Sequence, residues 1–500
     1  MNVDLLFNDT DGRVNESVPW NSNDLEKDLD LEILYNVMAG KDTYVFDVCR
    51  RTILNSVNDK STIIYRQDVL KDAIRNQNII RKIYSTIVTA ESEAKRSYFW
   101  ISRSNPEFAL HESISILKIY LTAIENIRDV GREALPLLHS NGLKQLFTMI
   151  MQEFNHEYVA EVLNHLEILR FHNGISVRGS LGFANSLIGY NLLMPDAKSN
   201  KILDKISLIR ERHYTYVLPD RDEIGAQELA DMRAKSIRET AAILTESAQN
   251  VLAFIDRIKE GVAFYLGCLN LLDELTKIGA PISFPVPENN ENNGMYYTGI
   301  YDVALCLRTK TVPVRNSLSA EHDSIIFITG ANRGGKSTLL RAIGQAQLMM
   351  QCGMFVAAES FSAYIASGIF THFKREEDSG MSMGKLEEEM NRMSLIIDHI
   401  KAGGRLFLNE SFSSTNVREG SEIAKQVINA LLDSGVKVIF VTHFNELAES
   451  YLGSVYNPTF LRAERLDNGK RTFKILQADP ITTSFGYDIF LKVFGESAKT

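Results

Sequence analysis

The chain has 500 residues, 45% hydrophobic and 23% charged, with a formal net charge of −9. That length exceeds one ordinary core and that composition is that of a soluble globular chain built from several units, while the negative balance argues against coating nucleic acid through the overall field. No apolar run approaches a membrane span, Met1-Asn2-Val3-Asp4 is no signal peptide, and Cys49, Cys268, Cys306 and Cys352 lack metal-ligand or disulfide spacing, so no membrane and a reducing cytoplasm are expected.

Residues 1–24 are polar and turn-rich and read as an irregular N-terminal arm. Residues 25–172 read as a helical core and first lever. Leu31, Leu34 and Met38 share one face, a second run carries Val45, Val48, Ile53 and Val57, and Ile114, Leu117, Leu121, Ile124 and Ile127 step by three or four along a single stripe. Glycines and prolines break that rhythm over residues 173–225, where strands are expected at Leu187–Leu193 and Tyr214–Leu218. Arg178, Lys201, Lys205, Arg210 and Arg212 concentrate positive charge there, which suits either a solvated surface or contacts with DNA phosphates.

Helix resumes over residues 226–280 as a returning lever. Ile237, Ala241, Leu244, Ala248, Val251, Ile255, Ile258, Val262, Tyr265, Leu269 and Leu272 alternate spacings of four and three, a coiled-coil-like seam. At 1.5 Å per residue such a helix reaches on the order of 75 Å, longer than a compact domain needs. Gly279-Ala280-Pro281 ends it, and a Pro- and Asn-rich linker follows before strands and helices alternate to the C-terminus, as in a parallel-sheet α/β unit.

The chemistry concentrates in residues 281–500. The buried-strand run Ser324-Ile325-Ile326-Phe327-Ile328-Thr329 leads into Gly330-Ala331-Asn332-Arg333-Gly334-Gly335-Lys336-Ser337-Thr338, a phosphate-loop pattern before a helix expected over Leu339–Met350. The glycines let backbone N–H groups wrap a polyphosphate, Lys336 supplies a charge for the β- and γ-phosphates, and the Ser337 hydroxyl is sized to ligate magnesium. ATP and Mg2+ are the cofactors this implies. A second strand, Arg405–Leu408, ends at Asn409-Glu410. Glu410 is placed to activate water, whereas Asn409 stands where an aspartate is expected and can serve the metal only through a bound water. A third strand, Val436–Val441, delivers Thr442-His443, with His443 expected to sense the terminal phosphate. Between the first two, Ser379-Gly380-Met381-Ser382 offers hydroxyls and a helix start to phosphates.

In this order the segments resemble the ATPase domain of the MutS mismatch-repair family. Residues 330–338 look like its GPNMGGKST loop, Ser379-Gly380-Met381-Ser382 its SGxS signature, Leu408-Asn409-Glu410 its Walker B segment, Phe440–Leu447 its FATHxxEL segment and Ser484-Phe485-Gly486 its SYG segment. Upstream, Arg66-Gln67 looks like the start of the family core, the long helices look like its levers, and residues 173–225 sit where the family inserts a DNA clamp. The resemblance implies a homodimer with composite sites. Gly330 to Thr338 would bind ATP and magnesium in cis, Glu410 would position water, His443 would sense phosphate and Ser382 would act in trans.

Two departures shape the expectation. Asn409 points to weak magnesium binding or slow turnover. The family's mismatch wedge is a Phe-x-Glu in a preceding domain, but here that pattern occurs only as Phe444-Asn445-Glu446 and Phe494-Gly495-Glu496, which speaks against direct mismatch reading. No nuclease tail is expected after Gly495.

The expected fold is multidomain: an α-helical core and lever region with a small clamp-like insertion, then an α/β P-loop NTPase domain of ABC-like type. The expected function is a dimeric, nucleoid-associated ATPase clamp on duplex, mismatched or branched DNA, acting in repair or recombination with repair partner proteins. The alternatives are a nucleotide-gated scaffold that hydrolyses little, or another ABC-like dimeric ATPase. Tyr296 and Tyr297 are candidates to stack on adenine by position alone.

Overall fold

A computed structural model describes residues 3–8, 18–97, 105–172, 174–183, 187–193, 217–219, 221–289, 294–375, 384–466 and 471–480. Two compact units emerge, one from Arg81–Leu138 and Lys144–Glu260, the other from Asn2–Ile80, His139–Leu143 and Gly261–Thr500.

Among the described residues, the regular structure of the first unit is helical except for one hairpin. Helix Pro106–Ala134 starts with proline at its first turn and with the Asn105 side chain accepting the Glu107 N–H, a start that satisfies an orphan donor. Its expected stripe is inside: Ile114, Leu117, Leu121, Ile124 and Ile127 are at most 4% exposed. Helix Glu223–Ile278 contributes its residues up to Glu260, and Phe254 stacks on Phe154 with ring centroids 5.7 Å apart. Lys259 and Glu91 form a largely buried ion pair at 2.7 Å. Strands β1 (Ser176–Leu181) and β2 (Leu187–Leu193) pair antiparallel, so the expected strand at 187–193 is present. The other expected strand ends in Val217 and Leu218, which have no regular structure; its residues 214–216 lie outside the described ones.

The second unit holds two sheets. Six strands run in the order β12-β11-β6-β10-β9-β8, with bounds β6 Ile325–Thr329, β8 Ile369–Phe373, β9 Arg405–Asn409, β10 Lys437–Val441, β11 Thr459–Arg465 and β12 Arg471–Gln477. All neighbours are parallel except β11 and β12. Every residue of β6, β8 and β10 is buried, as expected of strands covered on both faces and composed of near-continuous apolar runs. A smaller sheet orders β3 (Val286–Glu288), β7 (Ser360–Tyr364), β4 (Met295–Ile300) and β5 (Asn316–Ala320).

N-terminal residues also enter this unit's core. Leu5 and Leu6 are 2% and 5% exposed, and the carbonyls of residues 4, 5 and 6 accept bonds from the Tyr65 hydroxyl, the Tyr265 hydroxyl and Arg66 Nε at 2.7, 2.6 and 2.6 Å. Arg66 is 1% exposed and lies 4.7 Å from the Phe7 ring centroid. Gly353 makes room for it, since a Cβ there would fall 2.4 Å from Arg66 Cβ. Gln67 donates to the Pro285 carbonyl at 3.0 Å. The Arg66-Gln67 pair is thus a packing element of the unit.

Candidate functional site

The carboxyl ends of β6, β9 and β10 meet at one edge of the six-stranded sheet, where open α/β sheets hold their ligands. After Thr329 the chain turns through residues 330–335 into helix Lys336–Gln351, which starts three residues earlier than the apolar pattern suggested. Gly330, Arg333 and Gly335 take φ of 109°, 60° and 92°. Glycine is required at 330 and 334 by crowding as well, because a Cβ at either would meet Ala463 of β11 at about 3 Å. Alternating left- and right-handed residues of this kind turn successive N–H groups toward one concavity.

Lys336 is folded over this loop. Its Nζ donates to the carbonyls of Gly330 and Ala331 at 2.8 and 3.1 Å, and burial lowers its pKa to about 8. Ser337 Oγ donates to Asn409 Oδ1 at 2.9 Å, so β9 delivers its last side chain onto the first turn of the helix. Asn332 and Arg333 are exposed at the loop tip, Ala331 is buried beneath it, and Thr338 lines an adjoining cavity.

Glu410 follows at φ 55°, a conformation costly for a residue with a Cβ, and its N–H donates to the Val441 carbonyl at 2.8 Å. Its carboxylate meets His443 Nε2 at 2.7 Å, with about a third of each side chain exposed. That hydrogen bond, then the nearby cations including Lys336, holds the Glu410 carboxyl below the usual carboxylate range. A lysine, two oxygen donors, and a carboxylate paired with imidazole therefore share one sheet edge. This donor set fits a magnesium-bound nucleoside triphosphate: a cation and a helix start for phosphates, hard oxygens for the metal, and a carboxylate to orient water.

Beside the loop lies a cavity of about 320 Å³ walled by Ile300, Tyr301, Leu305, Val314 and Phe473, with Arg333, Gly335 and Thr338 at its rim. Tyr296 and Tyr297 do not line it. Tyr297 is 2% exposed and stacks on Phe361 within the smaller sheet, and Tyr296 faces outward. The walls of this cavity come from four separated segments, so no contiguous string announced them.

Of the other expected site residues, Arg178 is exposed on β1, opposite Asn191. Ser382 and its signature, Lys201, Lys205, Arg210, Arg212 and Ser484-Phe485-Gly486 lie outside the described residues. Two functional candidates were missed. His372 on β8 has Nδ1 2.7 Å from Ser411 Oγ, and Glu389 on helix Lys385–His399 accepts the Phe412 N–H at 2.7 Å. Glu389 sits in an acidic run that reads as solvated, yet it is spaced four and seven residues from buried Met393 and Ile396. That register is the signal that could have found it.

Among known proteins, the MutS2 N-terminal domain family matches residues 58–278 and the MutS domain V family matches residues 326–493. A DNA mismatch repair protein MutS from Thermotoga petrophila is 28% identical over 301 residues, covering 58% of this chain and 37% of the relative. Proteins of the same name from Thermotoga neapolitana and Chlamydia trachomatis are 25% and 24% identical, each match covering 85% of this chain and 52% and 56% of the relative. The chain thus spans about half the length, or less, of the curated relatives it matches. Among the described residues no helix is long and apolar enough to cross a membrane.

Proposed function

The chain belongs to the MutS family, and on that premise we propose that it is an ATP-hydrolysing DNA clamp that works as a dimer in DNA repair or recombination. The observation that carries the reading is the Glu410–His443 pair, 2.7 Å apart at the edge that also presents Lys336 and Ser337.

In this reading the residues 330–338 bind the triphosphate, with Lys336 leaving its loop carbonyls to meet phosphate oxygens. Ser337 and, through a water, Asn409 would hold magnesium, which would neutralise phosphate charge. Glu410 accepts a hydrogen bond from the attacking water, and His443, bonded to it through Nε2, holds that carboxylate in place and senses the terminal phosphate beside it. The cavity walled by Tyr301 and Phe473 seats the base. Ser382 of a second copy completes the site, so that nucleotide biases a closed dimer over an open one. The basic stretch around Arg178, Lys201, Lys205, Arg210 and Arg212 contacts DNA phosphates, which makes affinity depend on salt and only weakly on sequence.

DNA affinity measured across a salt series, with and without ATP, tests this reading. Wild type shows a steep salt slope and an ATP-dependent change. Lys336→Ala keeps the slope and loses the ATP response. Double substitution of Arg210 and Arg212 with alanine flattens the slope by roughly one to two counterions. A wild-type protein with no salt-dependent DNA binding contradicts the clamp. One specific feature favours a second reading, a nucleotide-gated scaffold with little hydrolysis: Asn409 gives Ser337 a neutral acceptor where a carboxylate would add charge.

A further inference from the structure

Glu410 is held by more than its own strand. The backbone just beyond it is unusual, because Glu410 and Phe412 both take left-handed φ, 55° and 63°, without being glycine. Each such residue costs on the order of 1 kcal/mol or more, so the turn persists only where neighbours fix it. Those neighbours come from two other elements of the same unit.

Glu389 is the first. It is 3% exposed on helix Lys385–His399, the helix that follows the Ser379–Ser382 segment in the chain. One carboxylate oxygen accepts the Phe412 N–H at 2.7 Å and the other accepts the Ser414 hydroxyl at 2.7 Å. His372 is the second. It is fully buried at β8, and burial lowers its pKa to about 4, which keeps the ring neutral. Its Nε2 lies 3.0 Å from the Glu389 carbonyl, which can only accept, so Nε2 carries the proton and Nδ1 accepts from Ser411 Oγ at 2.7 Å. The Ser411 hydroxyl also donates to the His372 carbonyl at 2.7 Å, so its one proton is shared between that carbonyl and Nδ1. Residues 411, 412 and 414 are thereby tied to one helix and one strand. Glu389 stands at the centre, since its side chain holds two of the ties and its carbonyl anchors the histidine of the third.

We propose that Glu389 is a positioning residue for hydrolysis: through its two hydrogen bonds to the 412–414 turn it sets where the Glu410 carboxylate stands, and it makes that placement follow any movement of helix Lys385–His399. The inference rests on the ATPase reading above. A carboxylate suits the task because both donors point at it and each needs an acceptor. A glutamine keeps one acceptor for the Phe412 N–H but turns its NH2 toward Ser414, whose hydroxyl must rotate from donating to accepting. The turn then exchanges two short charge-assisted ties for longer, weaker neutral ones, while Lys336 and Ser337 stay untouched.

The test combines kinetics with a readout that needs no turnover. In Glu389→Gln, kcat for ATP falls roughly tenfold or more, as expected when a reacting group is displaced by a fraction of an ångström to an ångström, with ATP affinity within about twofold of wild type. Glu389→Asp, with both acceptors on a shorter arm, recovers part of the rate. The His443 15N resonance of the full-length protein, assigned by its loss in His443→Gln, moves in Glu389→Gln toward its position in Glu410→Ala. Ser414→Ala gives a smaller loss, and combining it with Glu389→Gln adds little further. An unchanged kcat with an unmoved His443 resonance overturns the proposal. So does a rate loss matched by equal losses of ATP affinity and melting temperature, which marks Glu389 as a fold residue only. If wild type itself shows no hydrolysis, the ATPase reading fails separately, and the His443 resonance alone then decides whether Glu389 positions Glu410.

Discussion

The same three strands of the second unit carry charge at both ends, and the two ends do different work. At the amino edge, Asp323 just before β6 meets Arg405 at the start of β9, at 2.6 Å, and Lys437 at the start of β10. These side chains are 2%, 0% and 8% exposed. At the carboxyl edge, β6 leads to Lys336, β9 ends at Asn409 and Glu410, and β10 leads to His443, with Glu410 and His443 about a third exposed. One end is a sealed ion cluster in regular backbone. The other is open and built on left-handed turns at Arg333, Glu410 and Phe412. Similar charges are structural where water is excluded and every partner is protein, and available for chemistry where water and a phosphate can reach them.

The comparison breaks most visibly at its sealed end. Asp323→Ala takes the shared carboxylate from buried Arg405 and Lys437 and is expected to destabilise the unit by about 3–5 kcal/mol. Denaturant unfolding followed by a probe in the second unit checks it, and a loss under about 1 kcal/mol would mean the cluster is far more hydrated than its burial implies.

At the open end the effect is one of pH. Lys336, with its pKa lowered to about 8, is charged at neutral pH and loses its proton as pH rises through that value. Bound phosphate restores the charged form, so ATP binding takes up a proton above about pH 8 and weakens by roughly tenfold between pH 8 and 9.5. Calorimetry in two buffers of different ionisation heat measures that uptake, which is absent below pH 7 and absent in Lys336→Met. The folding linkage has the opposite sense. The unfolded lysine holds its proton to about 10.5, so this residue's penalty on stability shrinks as pH climbs from 8 toward that value.

The smallest expected change is at Asn409. Asn409→Asp keeps the bond from Ser337 Oγ and adds a charge, which should tighten magnesium binding by about fivefold, the difference between a neutral and a charge-assisted acceptor. Hydrolysis rates over a magnesium titration show it. A curve unmoved by the substitution would remove Asn409 from the metal's surroundings.

How much of this was legible follows from how each residue is encoded. Gly330 to Thr338, Asn409-Glu410 and Thr442-His443 stand at the ends of short buried strands, so contiguous strings gave both their identity and their common edge. The packing stripes of the long helices were legible for the same reason, as periodicity. Glu389 was hidden because two acidic neighbours disguised its apolar register. His372, Ser411 and Phe473 were hidden because their partners are 39, 39 and many more residues away in the chain, where only the fold brings them together. Composition reads the N-terminal arm only as irregular and is silent on its packing, because what buries Leu5 and Leu6 and bonds three of its carbonyls are the distant Tyr65, Arg66 and Tyr265.

The most direct test of the account is steady-state ATP hydrolysis with magnesium, alone and with homoduplex, mismatched or branched DNA, using Glu410→Ala as the blank. Turnover above the blank is expected, lost in the mutant and altered by at least one form of DNA. ATP bound without turnover above the blank under any of these conditions would contradict the role given to Glu410 and His443, and would leave Asn409 as the residue that made this site a nucleotide-gated scaffold.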